Sequence, residues 1–290
     1  MGVRLTEQLS PRAAPLSARP KIVIRASNGW GRLQLGDLWR FRELLWFLTL
    51  RDIKARHRQS ALGPLWFILK PLINMVIFSF VFGRLANLPS EGVPYPIFTY
   101  TALIPWTYFQ SAATMAVGSL VQRMDIISKI YFPRLLIPAS AVLSNLVDLA
   151  MSLAVLVGMM LFYDVPFRPA LLTLPLFVLF AAAVGLAVGL WGATLAVKYR
   201  DVVLGVTFAL QAWMFLTPVA YSATLVEGRW QWLYQANPMY WVIEGWRWAV
   251  LGAGQPPTPA MLAPLAVVLL LLVAGAYIFR RSERSIVDLL

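Results

Sequence analysis

Cationic side chains form the densest group of potentially functional residues in this chain. They occur in one short stretch and at the start of the next segment, and they are Arg51, Lys54, Arg56, Arg58 and Lys70. Guanidinium groups match the geometry of phosphate oxygens and bind them through paired hydrogen bonds. The cations therefore predict an anion site, and attraction to the anionic lipid of a membrane surface is the alternative.

The sequence lacks the motifs of the common catalytic centres. It contains no GxxxxGK[ST] phosphate loop, no HExxH and no GxSxG. Cys is absent and there is one His, which excludes disulfides, iron–sulfur clusters and multi-histidine metal sites. Carboxylates such as Glu43, Glu91 and Glu283 show no pairing typical of acid–base catalysis. We therefore expect that the chain is not an enzyme by itself and binds no cofactor.

Six long apolar segments account for the composition, which is 59% hydrophobic and 13% charged. They lie at about 62–83, 98–121, 135–162, 170–196, 203–221 and 258–279. Each is long enough to cross a hydrocarbon core of about 30 Å as a helix. The predicted fold class is therefore an all-α integral membrane protein with six transmembrane helices.

The cations are distributed unequally between the two sides of these segments. Most of the 25 Lys and Arg residues lie in residues 1–60, in the second and fourth connections, and after the last segment. Because basic connections stay in the cytoplasm, both termini are predicted to be cytoplasmic, in a multi-pass protein of the inner (plasma) membrane. The net charge of +12 then reflects contact with membrane lipid rather than binding of nucleic acid.

The regions outside the spans divide the rest of the chain. Residues 1–35 are rich in Pro, Ala, Ser and Arg, which predicts an irregular basic tail with no secretory signal. Residues 36–60 carry Leu and Ile at helical spacing with Arg between them. This pattern predicts an amphipathic helix on the cytoplasmic interface, lying in the headgroup plane or against another protein. The six-span domain is predicted over 61–285, and 286–290 form a cytoplasmic tail.

The outer connection 222–257 is rich in Trp and contains its own helix signal. Asn237 followed by Pro238 is typical of a helix start. The following apolar stretch is too short to cross, which predicts short re-entrant helices on the outer side before the last span. Glu244 and Arg247, one turn apart, are expected to pair. The predicted outer gate comprises Trp230, Trp232, Trp241, Glu244, Trp246 and Arg247.

Aromatic residues are concentrated on the first, second and fifth apolar segments. Their flat apolar faces suit the C–H faces of sugar rings, although lipid-facing or core positions are the alternative. The candidates for a substrate path are Trp66, Phe67, Trp106, Tyr108, Phe109, Trp213, Phe215 and Tyr221.

One acidic residue, Asp148, lies inside the third apolar segment. An intramembrane acid is a functional candidate by default, because charge there is costly. Asn145 precedes it by one turn on the same helix face. The pair therefore favours a structural polar cluster between helices.

Six stretches of the chain, in this order and spacing, resemble the membrane permease subunit of ABC exporters for O-antigen and related polysaccharides, within the type-2 ABC permease superfamily. They are RDIKARHRQSALGPLWFILKPL at 51–72, LIPWTYF at 103–109, ISKIYFPRLLIPASAVLSNLVD at 127–148, KYRDV at 198–202, LTPVAY at 216–221 and NPMYWVIEGWRWAVLG at 237–252. The resemblance covers about residues 36–285.

The resemblance implies a homodimer that encloses a channel and binds two copies of a separate nucleotide-binding ATPase, which carries the ATP and Mg. A polysaccharide on a polyprenyl-pyrophosphate carrier would pass from cytoplasm to periplasm. The five cations named first would then bind the lipid pyrophosphate. Residues of the inner connections would couple to the ATPase, namely Met124, Asp125, Ile127, Lys129, Ile130, Arg134, Lys198, Arg200 and Asp201.

Other readings of the same features remain open at this point. Permeases for capsule, teichoic acid or drug export share the fold that the resemblance implies. A membrane-embedded transferase acting on a lipid-linked sugar would need an acidic pair at one membrane surface. A stand-alone channel or secondary transporter would usually show internal repeats, and none is convincing here.

Overall fold

The computed structural model describes residues 39–57, 63, 65–123, 132–226 and 228–288, without the side chains of 57, 67 and 283–288. Within these ranges the chain is helical and contains no β-strand. The helices are α1 (Arg42–His57), α2 (Leu65–Phe78), α3 (Tyr95–Gly118), α4 (Leu136–Ser144), α5 (Leu146–Phe162), α6 (Leu174–Lys198), α7 (Val202–Phe215), α8 (Gln231–Ala236), α9 (Pro238–Leu251) and α10 (Leu262–Asp288).

Helix α3 is the centre of the packing. It contacts α2, α4, α5, α6, α7 and α9, and its large side chains Phe98, Trp106 and Phe109 are fully buried. Its closest neighbour is α6, where glycines replace side chains at the contact. A Cβ atom added at Gly189 would lie 2.4 Å from the Cβ of Ala116. The small-residue spacing on this segment therefore serves a contact within the chain.

Four helical segments are long and apolar enough to cross a membrane, and they are Ile68–Leu85, Leu136–Phe162, Pro169–Lys198 and Pro259–Ser282. They correspond to the first, third, fourth and sixth predicted spans. The second predicted span forms α3, whose 24 residues are interrupted by Thr, Tyr and Gln. The fifth forms α7, which has 14 residues and ends at Phe215 rather than at 221. The prediction of an all-helical fold is thus confirmed for the described residues, and four of the six predicted spans form helical segments that could cross a membrane.

Two of the spans depart from a single regular helix. The third breaks at Asn145, whose backbone ends α4 and begins α5. The first continues beyond α2 as a π-helix, Ser79–Leu85, after a proline at Pro71. Proline removes the backbone donor at position 71, and the π-helix begins eight residues later as a separate departure from α-helical geometry. Periodicity of apolar residues does not predict these breaks.

Helix α1 packs on α4 with a mixed face. Leu48, Thr49 and Asp52 are buried, whereas Trp46 and Phe47 are 65% and 63% exposed. A simple amphipathic helix would place its carboxylate and guanidinium groups outward. Here Asp52 and Arg56 point toward the helices at 136–162, because buried polar partners there compensate them.

Candidate functional site

Asp52 of α1 anchors one half of a polar cluster that joins α1 to α4. Its carboxylate accepts a hydrogen bond from Arg123, and the other Arg123 nitrogen donates to Ser140 Oγ at 3.0 Å. Asp52 and Arg123 are both buried. Burial lowers the pKa of Arg123, and the Asp52 carboxylate opposes that shift. This contact fixes the start of the connection between α3 and α4 against α1.

Arg56 forms the other half of the cluster, one turn further along α1. Its Nη1 donates to Asp148 Oδ2 at 2.8 Å and to Asn145 Oδ1 at 3.0 Å, and its Nη2 donates to Ser144. Asn145 and Asp148 therefore meet in a polar cluster, as their spacing predicts. Arg56 is predicted from the sequence to bind an anion, whereas in the structure it joins the polar side chains of this cluster.

We name these residues together the helix-1 cluster, comprising Asp52, Arg56, Arg123, Ser140, Ser144, Asn145 and Asp148. Neither Asp52 nor Arg123 is among the candidate site residues predicted from the sequence. An acid among cations at residues 51–58 was the available signal, since a lone carboxylate in such a helix needs a partner when buried.

The remaining cations of the predicted pyrophosphate site are more accessible. Arg51 is half-buried with its Nη2 3.7 Å from Asp52 Oδ1, while Lys54 and Lys70 are exposed on α1 and α2. Arg58 lies outside the described residues. The phosphate-binding role of these cations thus remains a prediction. In this conformation Arg56 is paired with Asp148.

Three of the eight predicted path aromatics form a cluster inside the chain. The ring centroids of Trp106 and Phe109 are 5.3 Å apart, and Trp213 lies 6.5 Å from Trp106 and 5.3 Å from Phe109, all edge to face. Trp106, Phe109 and the neighbouring Tyr108 are buried. In this conformation those rings of α3 present no face to a sugar, because their own chain covers them.

The other path candidates differ in their exposure. Trp66 and Phe215 are exposed, and Tyr221 is half-buried with its hydroxyl 2.8 Å from that of Tyr234. The side chain of Phe67 lies outside the described part of the chain. A sugar path along the aromatic residues remains a prediction, and the exposed rings are its accessible members.

Glu244 and Arg247 form the ion pair that their spacing predicts. Arg247 Nη1 lies 3.2 Å from Glu244 Oε1, and the two side chains are 0% and 1% exposed. The guanidinium also donates to the carbonyls of Tyr221 at 3.2 Å and Val219 at 2.8 Å, and it lies 3.8 Å from the ring centroid of Phe98. Burial raises the pKa of Glu244 and lowers that of Arg247, since both charged forms lose hydration, and each partner opposes the other's shift.

A second carboxylate adjoins this pair. Glu91 accepts hydrogen bonds from the backbone N–H of Gly254 at 2.7 Å and from the hydroxyl of Ser222. Gly254 has a φ of 81°, and a Cβ there would lie 2.8 Å from the carbonyl oxygen of Glu244. Glu91 and Glu244 line one cavity. Both are engaged by donors, which is unlike an acid–base pair.

We name the residues Glu91, Val219, Tyr221, Ser222, Glu244, Arg247 and Gly254 the helix-9 cluster. The other predicted gate residues divide around it. Trp241 and Trp246 are buried, whereas Trp230 and Trp232 are exposed. Asn237 caps α9 by accepting a hydrogen bond from the N–H of Met239 at 3.0 Å, as predicted. The gating role of this region stays a prediction.

The predicted ATPase-coupling residues lie mostly outside the described part of the chain. These are Met124, Asp125, Ile127, Lys129 and Ile130. Arg134 is half-buried just before α4. Lys198, Arg200 and Asp201 are exposed in the short connection between α6 and α7, where the Lys198 ammonium lies 5.2 Å from the centroid of the Tyr199 ring. Coupling to a partner remains a prediction for all nine residues.

Comparison with known families decides the class of this chain. Residues 43–251 match the model of the ABC-2 type transporter family. The chain belongs to that family. The matched range begins within α1 and ends at the last residue of α9, so it contains the whole helix-1 cluster and every member of the helix-9 cluster except Gly254.

Individual relatives of this ABC-2 chain are permeases. It is 29% identical over 253 residues to the O-antigen export system permease protein RfbA of Myxococcus xanthus, covering 85% of this chain and 96% of the relative. It is 28% identical to the O-antigen export permease RfbA of Klebsiella pneumoniae, covering 71% and 79%. It is also 26% identical to the inner membrane transport permease YadH of Escherichia coli, covering 77% and 91%. The relatives are transporter subunits rather than enzymes.

Proposed function

We propose that this chain is the transmembrane subunit of an ATP-driven exporter of O-antigen or a similar polysaccharide. The observation that carries the proposal is the alignment to the Myxococcus xanthus O-antigen export permease over 96% of that protein. An alignment of that extent covers most of both chains, rather than one shared motif. The substrate class of that relative is therefore the best guide to the substrate of this chain.

The proposed arrangement is a homodimer in the inner membrane with six crossings per chain and both termini cytoplasmic. Four apolar helical segments supply clear crossings. The 24-residue α3 extends about 36 Å at 1.5 Å per residue, which is enough for a fifth. Helix α7 and the 3₁₀ and irregular residues after it would supply the sixth. The distribution of Lys and Arg supports the orientation.

ATP hydrolysis is assigned to two copies of a separate ATPase, which hold the ATP and Mg. The family implies such a division of labour, and the sequence of this chain has no phosphate loop of its own. The exposed connection with Lys198, Arg200 and Asp201 is accessible to a soluble partner, as is α1 through its exposed side chains. We propose that these elements and the connection 122–134 dock the ATPase.

The proposed substrate carries a polyprenyl-pyrophosphate anchor, and exposed cations receive its phosphates. Lys54, Lys70 and the half-buried Arg51 are the described candidates, joined by Arg58. Arg56 would contribute only when it leaves Asp148. The glycan would then pass along the dimer axis over exposed aromatic residues such as Trp66 and Phe215.

The proposal is tested by co-expressing the chain with its candidate ATPase and measuring co-purification and ATPase rate. The chain should retain the ATPase and alter its rate. Replacing Lys198 and Arg200 by Glu should weaken retention. Arg229→Glu is the matched control, because Arg229 is also exposed and also lies over the adjacent aromatic ring, 5.3 Å from the Trp230 centroid. Retention lost through Arg229→Glu but kept in the Lys198 and Arg200 variant would reverse the proposed orientation.

A second candidate is an ABC exporter permease for another substrate, such as capsule, teichoic acid or a drug. The similarity to the Escherichia coli inner membrane transport permease favours it, since that name specifies no glycan. Deleting the gene separates the two. Loss of surface O-antigen supports the first candidate, and unchanged O-antigen with loss of another exported compound supports the second.

A further inference from the structure

A cavity beside the helix-9 cluster is not used by the function proposed above. Its volume is about 320 Å³, and three separate stretches of the chain line it. They are the turn before α3, the residues around α8, and the residues at and after α9. The lining residues are Glu91, Ala223, Thr224, Val226, Gly228, Gln231, Glu244, Gly254 and Gln255.

The polar groups of this cavity are both donors and acceptors. Glu91 offers carboxylate oxygens, Gln231 and Gln255 offer amides that donate and accept, and Thr224 offers a hydroxyl. Glu244 contributes to the wall with a side chain that is only 1% exposed. Adjacent hydroxyl groups of a sugar also donate and accept at once. A wall that combines carboxylates with primary amides therefore suits a polyhydroxyl ligand better than it suits a purely donating or purely accepting one.

The carboxylates are held in place by the surrounding fold. Glu91 is bonded to Ser222 and to the N–H of Gly254, and Glu244 is paired with the fully buried Arg247. Because these contacts fix the side chains before any ligand arrives, a ligand would not have to order them. Preorganisation of this kind reduces the entropic cost of binding.

The charge of the wall restricts the ligand further. Two carboxylates line the cavity, and Arg247, which is not among the lining residues, directs its guanidinium to Glu244 and to two backbone carbonyls. The surface offered to a ligand is therefore anionic. It disfavours phosphates and acidic sugars and accepts uncharged or amino sugars.

Size and surroundings agree with a single sugar unit. The volume is at the small end of ligand pockets, which run from about 300 to 1,000 Å³. Trp230 and Trp232 flank Gln231 in the chain and are 55% and 66% exposed. Neither ring lines the cavity, so the exposed indoles would stack on a neighbouring unit of the glycan rather than on the unit inside.

We propose that this cavity is a subsite for one uncharged or amino sugar unit of the exported glycan. The assignment rests on the proposed export function for its biological role, but sugar binding can be measured without export. In this proposal Gln231, Gln255 and Thr224 contact the sugar unit beside the fixed carboxylates. This subsite is separate from the predicted path along the aromatic residues.

The test is saturation-transfer NMR on the chain together with its ATPase in lipid nanodiscs, since glycoside detergents would compete for the site. The probes are methyl α-D-glucopyranoside, D-glucosamine and D-glucuronate. The first two should show transfer and the third should not. Replacing Gln231 and Gln255 by Ala should weaken binding about tenfold, because two neutral hydrogen bonds are lost.

Gln235→Ala is the matched control. Gln235 lies one turn after Gln231 in the same short helix and is outside the cavity lining, and only its carbonyl is used by Trp241. It should bind the probes as the wild-type chain does, and a melting curve checks that the double variant folds. Transfer that is equal in the double variant, or that D-glucuronate matches, would overturn the subsite. Wild-type export that persists with such a result leaves the proposed function standing, whereas absent export with variant-sensitive binding would refute that function alone.

Discussion

The helix-1 and helix-9 clusters both contain charged side chains that are largely buried, but the partners that stabilise these charges differ. In the helix-1 cluster, Arg56 and Asp148 are 92 positions apart in sequence and keep 21% and 19% of their side-chain surface exposed. In the helix-9 cluster, Glu244 and Arg247 lie one turn apart and are fully buried. The first joins separate helices through side chains alone. The second fixes one helix to backbone carbonyls of a neighbouring segment.

The difference indicates which region can rearrange. Arg56 and Asp148 keep 21% and 19% of their side-chain surface exposed, so we expect their separation to cost less than that of a fully buried pair. The buried contact of Asp52 with Arg123 still holds α1 to α4. Separating Arg247 from Glu244 leaves a charge in an apolar interior, which costs several kcal/mol. We therefore expect the contact of Arg56 with Asp148 to open more readily than the unit that α9 forms with residues 217–222.

The largest effect is expected from Arg247→Leu. It leaves Glu244 buried without a partner and should destabilise the chain by about 3–5 kcal/mol. The measurement is thermal unfolding of the purified complex in nanodiscs. Arg56→Leu is the matched variant and should cost distinctly less, because the Asp148 side chain is 19% exposed rather than fully buried. Equal losses in the two variants would remove the contrast between the clusters.

A smaller effect is expected from Gly254→Ala in the helix-9 cluster. The added Cβ would lie 2.8 Å from the Glu244 carbonyl and 3.1 Å from the Arg247 Cβ, so overpacking should cost about 1–3 kcal/mol. Gly228→Ala is the control, since Gly228 also has a positive φ, of 67°, but has open space around it. The difference between their unfolding temperatures measures the close approach alone. Equal unfolding temperatures for the two variants would mean that residues 254 and 244 move apart at little cost.

The two acids of the helix-1 cluster should differ from each other. Asp52→Asn is expected to lower the free energy of unfolding by about 1–3 kcal/mol. The Asp52 carboxylate is 7% exposed and accepts a hydrogen bond from the buried Arg123. Asp148→Asn should cost less and keep most transport, since Asn145 and Ser144 still accept from Arg56. Unfolding and export assays on both variants check this order. Complete loss of transport in Asp148→Asn with an intact dimer would favour a gating or ion-coupled role.

The smallest effect is the response to salt. A double-mutant cycle on Arg56 and Asp148 should give a coupling energy that falls between about 0.1 M and about 1 M salt, because partly exposed pairs are screened. The same cycle on Glu244 and Arg247 should change little. A stronger salt response for the buried pair would contradict the assigned burial of the two clusters.

Local signals in the sequence predict local structure well here. The cap at Asn237 and the pair of Glu244 with Arg247 follow from spacing within one turn, and both occur. Asp52 and Arg123 are 71 positions apart in the sequence. Their contact depends on how α1 packs against the other helices, and no local sequence pattern predicts that packing.

Aromatic content was the least informative signal for the candidate site. Trp106 and Phe109 are aromatic residues of apolar segments, as are Trp66 and Phe215. The first two nevertheless lie in the core, whereas the other two are exposed. Helix orientation decides that outcome, because only one face of each helix is accessible. Apolar length predicted six spans, and four of them form long apolar helical segments in the described part of the chain. At the break in the third span, the Asn145 side-chain amide donates to the Ala141 carbonyl at 2.7 Å, a contact that apolar length does not predict.

The central claim is ATP-driven glycan export, and one measurement tests it most directly. The chain and its ATPase are reconstituted into vesicles that contain lipid-linked glycan on the ATPase-facing leaflet, and glycan reaching the opposite leaflet is quantified. We predict translocation that requires ATP, the ATPase and this chain together. Translocation that continues without ATP, or none at all from a complex that still hydrolyses ATP, would contradict the account.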